Sequence, residues 1–476
     1  MKTWMKMLAG HYEVMRRKYP KEKLLIAFDI DGTILDMRHM IKYALKTFDD
    51  DNGTEYFRNI TINDIDFHEE HVHCFFERLA IPENHREVIM AQYEDLMRSS
   101  TAILEAHRPF RGVLDVIRWF QLQPNTYVGL NTGRPEYLRE NTLQTLNKLG
   151  HEYRVQFADN LLFMKPNVSD EGIAETKPKG IGYFQQKGYR VFAFIDNEPE
   201  NLRAVSETDA DKEILLLHAD TIFKSAHVPV PDHAVKGKAY DLKDLMSKNT
   251  MPKHIQFVWS CNYARESFAC FIGSNINWLE IDLRDAQKVR SLNDENLSLE
   301  ECLNFAKTGD KSVKLNVHES ALLLGKALEI INVYDLGKSP LWFKVGDDHV
   351  LRRNRLAALK KAYPDAVIEH EVDFLVRPVL DEPDNAKYIL ELLQKVGVNR
   401  FSLSRKQPQW RRVVNMLGNW GFDVHVNYIT SFETFLQAAL LSPRSMTINL
   451  SPADWKYFNY TGEEEYPEDP LLKRIA

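Results

Sequence analysis

Eight short apolar runs follow one another between residues 254 and 450, and this repeat restricts the possible folds more than any other feature of the sequence. Segments with helical periodicity separate most of the runs, for example residues 297–309 and 385–397. About eight strand–helix units in roughly 220 residues are typical of a (β/α)8 barrel. The runs are HIQFVWS (254–260), NWLEIDLRD (277–285), SVKLNVHE (312–319), PLWFKVGD (340–347), DAVIEHEVDF (365–374), RFSLSRK (400–406), DVHVNYI (423–429) and SMTINL (445–450).

The first half of the chain carries a different alternation of apolar runs and helix-like stretches, which predicts an open parallel α/β sheet. An insert at residues 37–108 lies between the first two runs. Helical periodicity at residues 68–79 and 86–100 predicts that this insert is an all-helical cap. The apolar runs are LLIAFDI (24–30), YVGLNT (127–132), VFAFID (191–196) and EILLLH (213–218).

Two proline-bearing segments mark a boundary between these patterns. HVPVPDH (227–233) has the composition of an extended segment, and KNTMPKH (248–254) has that of a polar linker. The predicted parts are a sheet domain at residues 1–36 and 109–250, the cap at 37–108, and the barrel at 251–476.

The charge and the cysteine content exclude some classes of protein. The formal net charge of the 476 residues is -7, whereas a dedicated nucleic-acid-binding domain is usually basic. The four cysteines are scattered and form no CxxC pair. This pattern favours a reducing compartment, and so a cytoplasmic location, over a zinc ribbon or a disulfide scaffold. No apolar run approaches the roughly 18–20 residues that span a bilayer, so no membrane span is predicted.

The stretch LLIAFDIDGTILD (24–36) ends a predicted buried strand with two carboxylates on one side. Asp29 and Asp31 are two positions apart, so both side chains point the same way at a strand end, where open α/β sheets bind ligands. Two adjacent carboxylates repel each other unless a cation such as Mg²⁺ neutralises them. One carboxylate is then suited to attack a phosphorus atom and the other to transfer protons. Gly32 permits a tight turn beside the ligand.

The strand and its DIDGT ending resemble the first motif of the haloacid dehalogenase (HAD) superfamily, whose phosphatases carry DxDGT after an apolar strand. The resemblance implies that Asp29 is the nucleophile, which forms an aspartyl-phosphate, and that Asp31 is the general acid/base. The dehalogenase branch lacks an acid at the second position, so Asp31 favours phosphoryl chemistry. It also implies Mg²⁺ as cofactor, and Thr33 is a candidate substrate-binding residue.

The second and third HAD-like motifs follow in order. In YVGLNTGRP, Thr132 matches the residue that hydrogen-bonds a phosphoryl oxygen, and Gly133 and Arg134 are candidate substrate-binding residues. Arg134 is equally suited to stabilise the loop. In ETKPKG, Lys177 matches a lysine that stands before a helix and neutralises the phosphate and the nucleophile, with Lys179 as the alternative.

The fourth HAD-like motif is VFAFIDNEPENL, in which an apolar strand ends in Asp196. The resemblance implies a metal set of Asp29, Asp196 and the backbone carbonyl of Asp31. Asn197 stands where the superfamily often has a second acid, and Glu200 lies at a four-residue spacing. These two side chains are expected to assist through water.

Three histidines in the predicted cap suggest a metal site, but their spacing argues against one. His68, His71 and His73 lie in HEEHVHCFF, which lacks the HExxH spacing of a helical zinc site. We expect them to be surface or cap-interface residues.

A barrel active site would lie at the C-terminal ends of the strands. The stretches WSCNYARES and NWLEIDLRDA are similar to those of glycerophosphodiester phosphodiesterase and menorin-like barrels, and Glu280 and Asp282 match an acidic metal-binding pair there. The histidines of the phosphodiesterases are missing near the first two strands, so the barrel is either catalytic through other residues, inactive or a binding module. The polar residues predicted for this end are Asn262, Glu280, Asp282, Lys314, Asn316, His318, Lys344, Glu369, His370, Glu371, Ser402, Ser404, His425 and Asn427.

Together these patterns predict an α/β protein with an N-terminal Rossmann-like HAD domain, a helical cap insert and a C-terminal (β/α)8 barrel of TIM type. The predicted activity is Mg²⁺-dependent removal of phosphate from a small phosphorylated metabolite, such as glycerol phosphate or a sugar phosphate. The barrel is predicted to be phosphodiesterase-like. The alternative is a phosphatase domain fused to a non-catalytic ligand-binding or assembly barrel.

Overall fold

The computed structural model of the chain falls into two compact units, Met1–Met246 and Ser247–Ala476. We refer to them as the N-terminal unit and the C-terminal unit. The residues that the structure describes are 3–167, 172–225, 227–245, 254–260, 265–285, 288–289, 298–317, 321–334, 341–345 and 353–449.

The N-terminal unit is built on a parallel sheet whose described strands follow the order β3-β2-β1-β4-β5-β6. Strand β1 lies between β2 and β4, and its apolar residues 24–28 are buried. A run of five apolar residues suits a strand that is covered on both faces. The strands are β1 Lys23–Phe28, β2 Thr126–Pro135, β3 Leu162–Lys165, β4 Tyr189–Asp196, β5 Leu215–Ala219 and β6 Val235–Gly237.

The described part of the N-terminal unit also contains ten α-helices, which lie before, between and after the strands in the chain. The first helix is amphipathic, and it buries Trp4, Leu8 and Tyr12 on one face. The helices are α1 Trp4–Lys18, α2 Met37–Asn52, α3 Val72–Arg78, α4 Glu83–Arg98, α5 Ser100–Ala106, α6 Val113–Gln121, α7 Arg139–Gly150, α8 Ile173–Gln186, α9 Pro199–Thr208 and α10 Leu242–Leu245. Short 3-10 helices span Ile62–Asp64, Glu69–His71, Glu136–Leu138, His151–Tyr153 and Asp159–Leu161.

The chain between β1 and β2 is helical and has a hydrophobic core of its own. Helix α2 begins at its N-cap Asp36, whose side chain accepts a hydrogen bond from Arg38 N, and it ends at Gly53 with a positive φ of 65°. Phe48, Phe57 and Phe76 pack together in this core. The domain boundaries given above, including 37–108 for the insert, stay predictions.

Eight parallel strands of the C-terminal unit close into a barrel, because the strands pair in chain order and β8 also pairs with β10. The two-residue strand β9 pairs with β8 antiparallel. Each of the eight predicted apolar runs contains one barrel strand, so the predicted fold class is confirmed. The strands are β7 Gln256–Ser260, β8 Trp278–Asp285, β9 Lys288–Val289, β10 Ser312–Val317, β11 Trp342–Val345, β12 Val367–Glu371, β13 Arg400–Ser404, β14 Val424–Ile429 and β15 Ser445–Ile448.

Helices separate most of the barrel strands. Helix α12 begins with a capping box, in which Ser298 and Glu301 each satisfy a backbone N–H of the other. The helices are α11 Arg265–Ile272, α12 Leu299–Thr308, α13 Ala321–Tyr334, α14 Arg353–Ala362, α15 Val376–Asp381, α16 Pro383–Lys395, α17 Trp410–Asn419 and α18 Phe432–Ala439, with a 3-10 helix at Asp373–Leu375. Among the described helices, none combines the length and the apolar composition needed to cross a membrane.

Candidate functional site

Neighbouring strand ends bring the predicted aspartates together in the N-terminal unit. Asp29 directly follows β1, Asp196 is the last residue of β4, and both are buried. The two strands are parallel neighbours, and Asp29 N donates to Ile195 O at 2.8 Å. Parallel strands end at the same edge of a sheet, so the two carboxylates meet there.

Lys177 lies between these carboxylates and is itself buried, with 1% of its surface exposed. Its Nζ is 2.5 Å from Asp29 Oδ1 and 3.0 Å from Asp196 Oδ2, and it also donates to Asn131 O at 2.7 Å. Lys179, the alternative lysine, is exposed. The structure therefore brings Lys177, and not Lys179, to the two aspartates.

The expectation that this lysine stands before a helix is wrong. Lys177 lies inside α8, which begins at Ile173 and contains Pro178. The helix begins early because Glu175 caps it by accepting a hydrogen bond from Gly172 N at 3.3 Å. Pro178 is the sixth residue of the helix, so its ring removes one backbone hydrogen bond beyond the first turn, and the helix continues past it to Gln186.

The carboxylates of this site are short of positive charge. Burial raises the pKa of Asp29 to about 8, and repulsion from Asp196 and Asp31 adds to this rise while Lys177 opposes it. Burial also raises the pKa of Asp196, again against the attraction of Lys177. One ammonium is not enough to hold both side chains in their ordinary ionised state.

Asp31 is held by Arg134 in a two-pronged ion pair. Arg134 Nε donates to Asp31 Oδ2 at 2.7 Å, and Nη2 donates to Oδ1 at 2.6 Å. Desolvation raises the pKa of Asp31, but the guanidinium outweighs it, and the net pKa lies below the ordinary value. Arg134 was expected either to contact the substrate or to stabilise the loop. The structure shows that it contacts Asp31, the predicted acid/base.

Arg134 is in turn positioned by two further side chains. Its Nη1 donates to Thr142 Oγ1 at 3.2 Å, and its Nη2 lies 3.2 Å from His107 Nε2. Burial and the guanidinium lower the pKa of His107 to about 4. A neutral His107 accepts from Arg134 through Nε2 and donates to Ile103 O from Nδ1 at 2.8 Å.

The other predicted residues of the first two motifs lie close by. Thr132 is buried, and its Oγ1 accepts a hydrogen bond from Arg134 N at 3.2 Å. Thr33 is fully buried, and its hydroxyl donates to Asn197 Oδ1 at 3.4 Å. Gly133 packs against Ile173, whose Cγ2 would lie 2.7 Å from an added Cβ.

Gly32 is required at the turn after Asp31 for two reasons. Its φ of +77° is the left-handed conformation that side chains disfavour, and a Cβ there would lie 2.2 Å from Asn197 Nδ2. The Asn197 side chain cannot easily move away, because its Nδ2 donates a hydrogen bond to Ile222 O at 2.8 Å. The close contact brings the loops after β1 and β4 together.

Asp196 is oriented by donors from the start of α9. Asn201 Nδ2 lies 3.1 Å from each carboxylate oxygen of Asp196, and Glu198 N donates to Oδ1 at 2.8 Å. Glu200 lies on the same helix, and its backbone N donates to Ser225 Oγ at 3.3 Å.

A cavity of about 500 Å³ opens above these residues. Most of the predicted site residues line it: Asp29, Asp31, Thr132, Gly133, Arg134, Lys177, Asn197 and Glu200. A second cavity of about 380 Å³ shares Asp31, His68, Glu69 and Asn197 with the first. Asp31 therefore borders both cavities, whereas Asp29, Thr132 and Lys177 line only the larger one.

One wall of both cavities comes from the helical insert. His68 and Glu69 line them, and Tyr93 fixes this segment by donating to Glu69 O at 3.1 Å. Glu70 forms an ion pair with Lys224 of the sheet domain. Burial, with Asp31 nearby, raises the pKa of Glu69 to about 7. His68 was expected on the surface or at the cap interface, and it lies at that interface.

The residues present fit a magnesium ion. Asp29, Asp31 and Asp196 bring three negative charges, against two positive charges from Lys177 and Arg134. Mg²⁺ takes oxygen ligands and usually keeps several waters. Among the described residues, no three His, Cys, Asp or Glu side chains are arranged to hold a metal ion. The fit therefore rests on the charge and on the carboxylate oxygens of Asp29 and Asp196, and not on a set of three side-chain ligands.

The barrel interior of the C-terminal unit holds a second buried cluster of charges. Lys314 Nζ lies 2.9 Å from Glu280 Oε2 and 2.8 Å from Glu369 Oε2. It is also 3.2 Å from His425 Nε2, and Thr447 Oγ1 donates to Glu280 Oε2 at 3.1 Å. Four residues from the predicted list for the barrel thus come together, with Thr447 added.

This cluster does not lie at the strand ends where the prediction placed it. Glu280, Lys314 and Glu369 are each the third residue of their strands, so they lie within the barrel and not at its C-terminal rim. Despite their burial, Lys314 holds the pKa of both glutamates below the ordinary value. Asn262 and His318 lie outside the described residues.

Comparisons with known proteins found similar solved structures of two kinds. No family model matches the sequence, and no curated protein matches it. A HAD-superfamily hydrolase of subfamily IA from Geobacter sulfurreducens is similar over 47% of this chain and 96% of its own, with 13% identity and a TM-score of 0.32. A phosphodiesterase from Oleispira antarctica, solved with the product sn-glycerol-3-phosphate, is similar over 42% of this chain and 93% of its own, with 11% identity and a TM-score of 0.31.

Several side chains at the N-terminal site carried no sequence signal. His107 follows α5 and has no motif around it, and Asn201 lies one residue beyond the expected four-residue spacing from Asp196. Glu69 was visible only as part of HEEHVH. Each contacts or borders a predicted residue through a tertiary fold that spacing alone does not encode.

Proposed function

We propose that the N-terminal unit is a magnesium-dependent phosphatase that removes phosphate from a small phosphomonoester through an aspartyl-phosphate on Asp29. One observation carries the proposal. A buried lysine lies 2.5 Å from Asp29 Oδ1 and 3.0 Å from Asp196 Oδ2, beside an aspartate held by a guanidinium. A nucleophile, a cation for the phosphoryl group and a proton-transfer group therefore border one cavity.

In the first step, an Asp29 carboxylate oxygen attacks phosphorus. The new O–P bond forms as the bond from phosphorus to the leaving oxygen breaks, and Asp31 gives that oxygen a proton. Lys177 and Thr132 stabilise the phosphoryl oxygens, on which negative charge develops. Asp31 borders both cavities, which suits a group that acts between the phosphate and the leaving group.

In the second step, Asp31 accepts a proton from water, and the water oxygen attacks the phosphorus of the aspartyl-phosphate. The bond between Asp29 and phosphorus breaks, and inorganic phosphate leaves. Asp31 is then protonated again and ready to serve as the acid. The pKa of Asp31, which Arg134 lowers, suits the accepting step. Arg134 must therefore weaken its hold when Asp31 acts as the acid.

The metal site proposed is formed by Asp29, Asp196 and the carbonyl of Asp31, with Asn197 and Glu200 acting through water. A bound magnesium ion would neutralise the phosphoryl oxygens and the repulsion between the carboxylates. Asn201 and the N–H of Glu198 orient Asp196 for this role.

The size of the site favours a small substrate. The two adjoining cavities measure about 500 and 380 Å³, which lies in the range of small-molecule pockets. We propose that the helical insert acts as a cap that selects the leaving group through His68 and Glu69. A net charge of -7 speaks against strands of nucleic acid as substrates.

The test is a comparison of three variants on a panel of phosphomonoesters. Asp29→Asn and Lys177→Met should lose phosphate release, whereas Lys179→Met should keep it, because Lys179 is exposed. Trapping of phosphate on the chain should require Asp29. Equal release by the wild type and by Asp29→Asn would contradict the proposal.

A further inference from the structure

The barrel interior contains a lysine where two buried carboxylates converge. Lys314 is fully buried, and its ammonium is 2.9 Å from Glu280 Oε2 and 2.8 Å from Glu369 Oε2. His425 Nε2 lies 3.2 Å away, and Thr447 Oγ1 3.4 Å away. Side chains from four of the barrel strands thus surround the ammonium on several sides.

Arg400 is a second buried cation in the barrel interior. Arg400 is buried, and its Cζ lies 4.9 Å from the ring centroid of Trp342, while Lys314 Nζ lies 5.1 Å from the same centroid. Burial lowers the pKa of Arg400 to about 10, against the attraction of Asp423 and Glu369. Against the burial of Glu280 and Glu369, Lys314 and Lys344 lower the pKa of both carboxyl groups, so more than one cation compensates them.

Glu280, one member of the acidic pair that the phosphodiesterase-like resemblance implied, is already engaged by other side chains in this arrangement. Glu280 Oε2 accepts hydrogen bonds from both Lys314 and Thr447. In the register of the barrel, the residue opposite Asp282 on β10 is Asn316, a neutral amide. A divalent cation favours several oxygen ligands with surplus negative charge, and an adjacent ammonium disfavours it.

The contrast with the N-terminal site is one of charge. There, three aspartates face two cations, and a cavity of about 500 Å³ leaves room for an ion and its water. An ammonium lies between two carboxylates in both sites. Burial raises the pKa of Asp29 and Asp196, whereas the cations of the barrel hold the pKa of Glu280 and Glu369 below the ordinary value despite their burial.

We propose that the Lys314 ammonium takes the place of a metal ion inside the barrel, so that the C-terminal unit does not cleave phosphodiesters with a metal held by Glu280. The cluster of Glu280, Lys314, Glu369 and His425 is instead an internal ion cluster that holds the barrel strands together.

The first test is a titration of the full chain with Mn²⁺, followed by electron paramagnetic resonance. We expect at most one tightly bound Mn²⁺ per chain, and its loss in Asp196→Asn. A Mn²⁺ ion that survives Asp196→Asn and disappears in Glu280→Gln would overturn the proposal. If the wild type binds no Mn²⁺ at all, the result contradicts the proposed metal site of the phosphatase, whereas it supports the proposal that Glu280 holds no metal ion.

The second test creates the site that Lys314 fills. In the Asp196→Asn background, Lys314→Met leaves Glu280 and Glu369 without their shared cation, so Mn²⁺ should now raise the melting temperature. Lys311→Met is the matched control, because Lys311 is also buried but donates to the backbone oxygen of Ser274 at 2.8 Å. A Mn²⁺-dependent rise with Lys314 intact would contradict the proposal. If Lys314→Met does not fold, the titration of Asp196→Asn decides alone.

Discussion

Arg134 holds both carboxylate oxygens of Asp31, at 2.7 and 2.6 Å. The ion pair joins the end of β2 to the loop after β1. His107 and Thr142 also contact the guanidinium and so help to fix its position. Asp31 is therefore ionised and immobile as long as this pair persists. Arg134 emerges as a positioning residue that sets the proton affinity of the proposed acid/base.

Removal of Arg134 should change the pH profile of the reaction. In Arg134→Met the lowered pKa of Asp31 rises, so the limb of the kcat/KM profile that belongs to Asp31 should move to higher pH. We expect kcat to fall roughly 10- to 100-fold, which is at most the lower limit of the roughly 10²–10⁴-fold that a positioned acid/base contributes, because Asp31 itself remains. Arg134→Lys keeps a charge and should shift the profile less. An unchanged profile in Arg134→Met would show that the ion pair has no part in proton transfer.

Lys177 should matter for folding as well as for catalysis. Lys177→Met leaves Asp29 and Asp196 buried without their cation, which costs roughly 3–5 kcal/mol for a broken buried pair. Thermal unfolding should show a lower melting temperature for this variant, with partial recovery on addition of Mg²⁺. The control, Lys179→Met, changes an exposed lysine two residues away and should melt like the wild type. Equal melting of all three proteins would contradict the buried geometry of Lys177.

Asp29→Asn should stabilise the protein when no metal is present. The pKa of Asp29 is raised to about 8 in the folded state, against an ordinary value of 3.8. The folded state then binds the proton more tightly, so stability is lost as pH rises from the ordinary value towards 8. Neutral asparagine avoids this loss. In EDTA, the melting temperature of Asp29→Asn should exceed that of the wild type at pH 8, and the two should converge near pH 4.

Glu69 should affect the choice of leaving group. It lines both cavities next to Asp31, and its pKa is raised to about 7. Glu69→Gln removes this charge at nearly constant shape, so KM values should change in proportion to the polarity of the leaving group. Glu83→Gln is the control, since Glu83 is an exposed residue at the start of α4 and lines neither cavity. Identical KM values for Glu69→Gln and the wild type across the panel would remove Glu69 from substrate selection.

The fold could be predicted largely from periodicity. Apolar runs of four to eight residues have few alternatives when helices separate them, and all eight barrel strands fell within predicted runs. The position of Lys177 within α8 was not predictable, because a proline after the lysine favours a helix start there. The cap of Glu175 on Gly172 overrides that preference.

Which side chains contact one another at the site could not be predicted from the sequence. The contact of Arg134 with Asp31 joins residues 103 positions apart, and no spacing rule connects them. In the barrel, the list of polar residues contained Glu280, Lys314, Glu369 and His425, but not their association into one cluster. That cluster depends on strand register, which becomes defined only when the barrel closes.

The most direct test of the central claim is phosphate release from a panel of small phosphomonoesters by the wild type and Asp29→Asn, each with Mg²⁺ or EDTA. We expect release by the wild type with Mg²⁺ alone, and none by Asp29→Asn under either condition. Release that persists in EDTA, or in Asp29→Asn with Mg²⁺, would contradict a magnesium-dependent aspartyl-phosphate at Asp29.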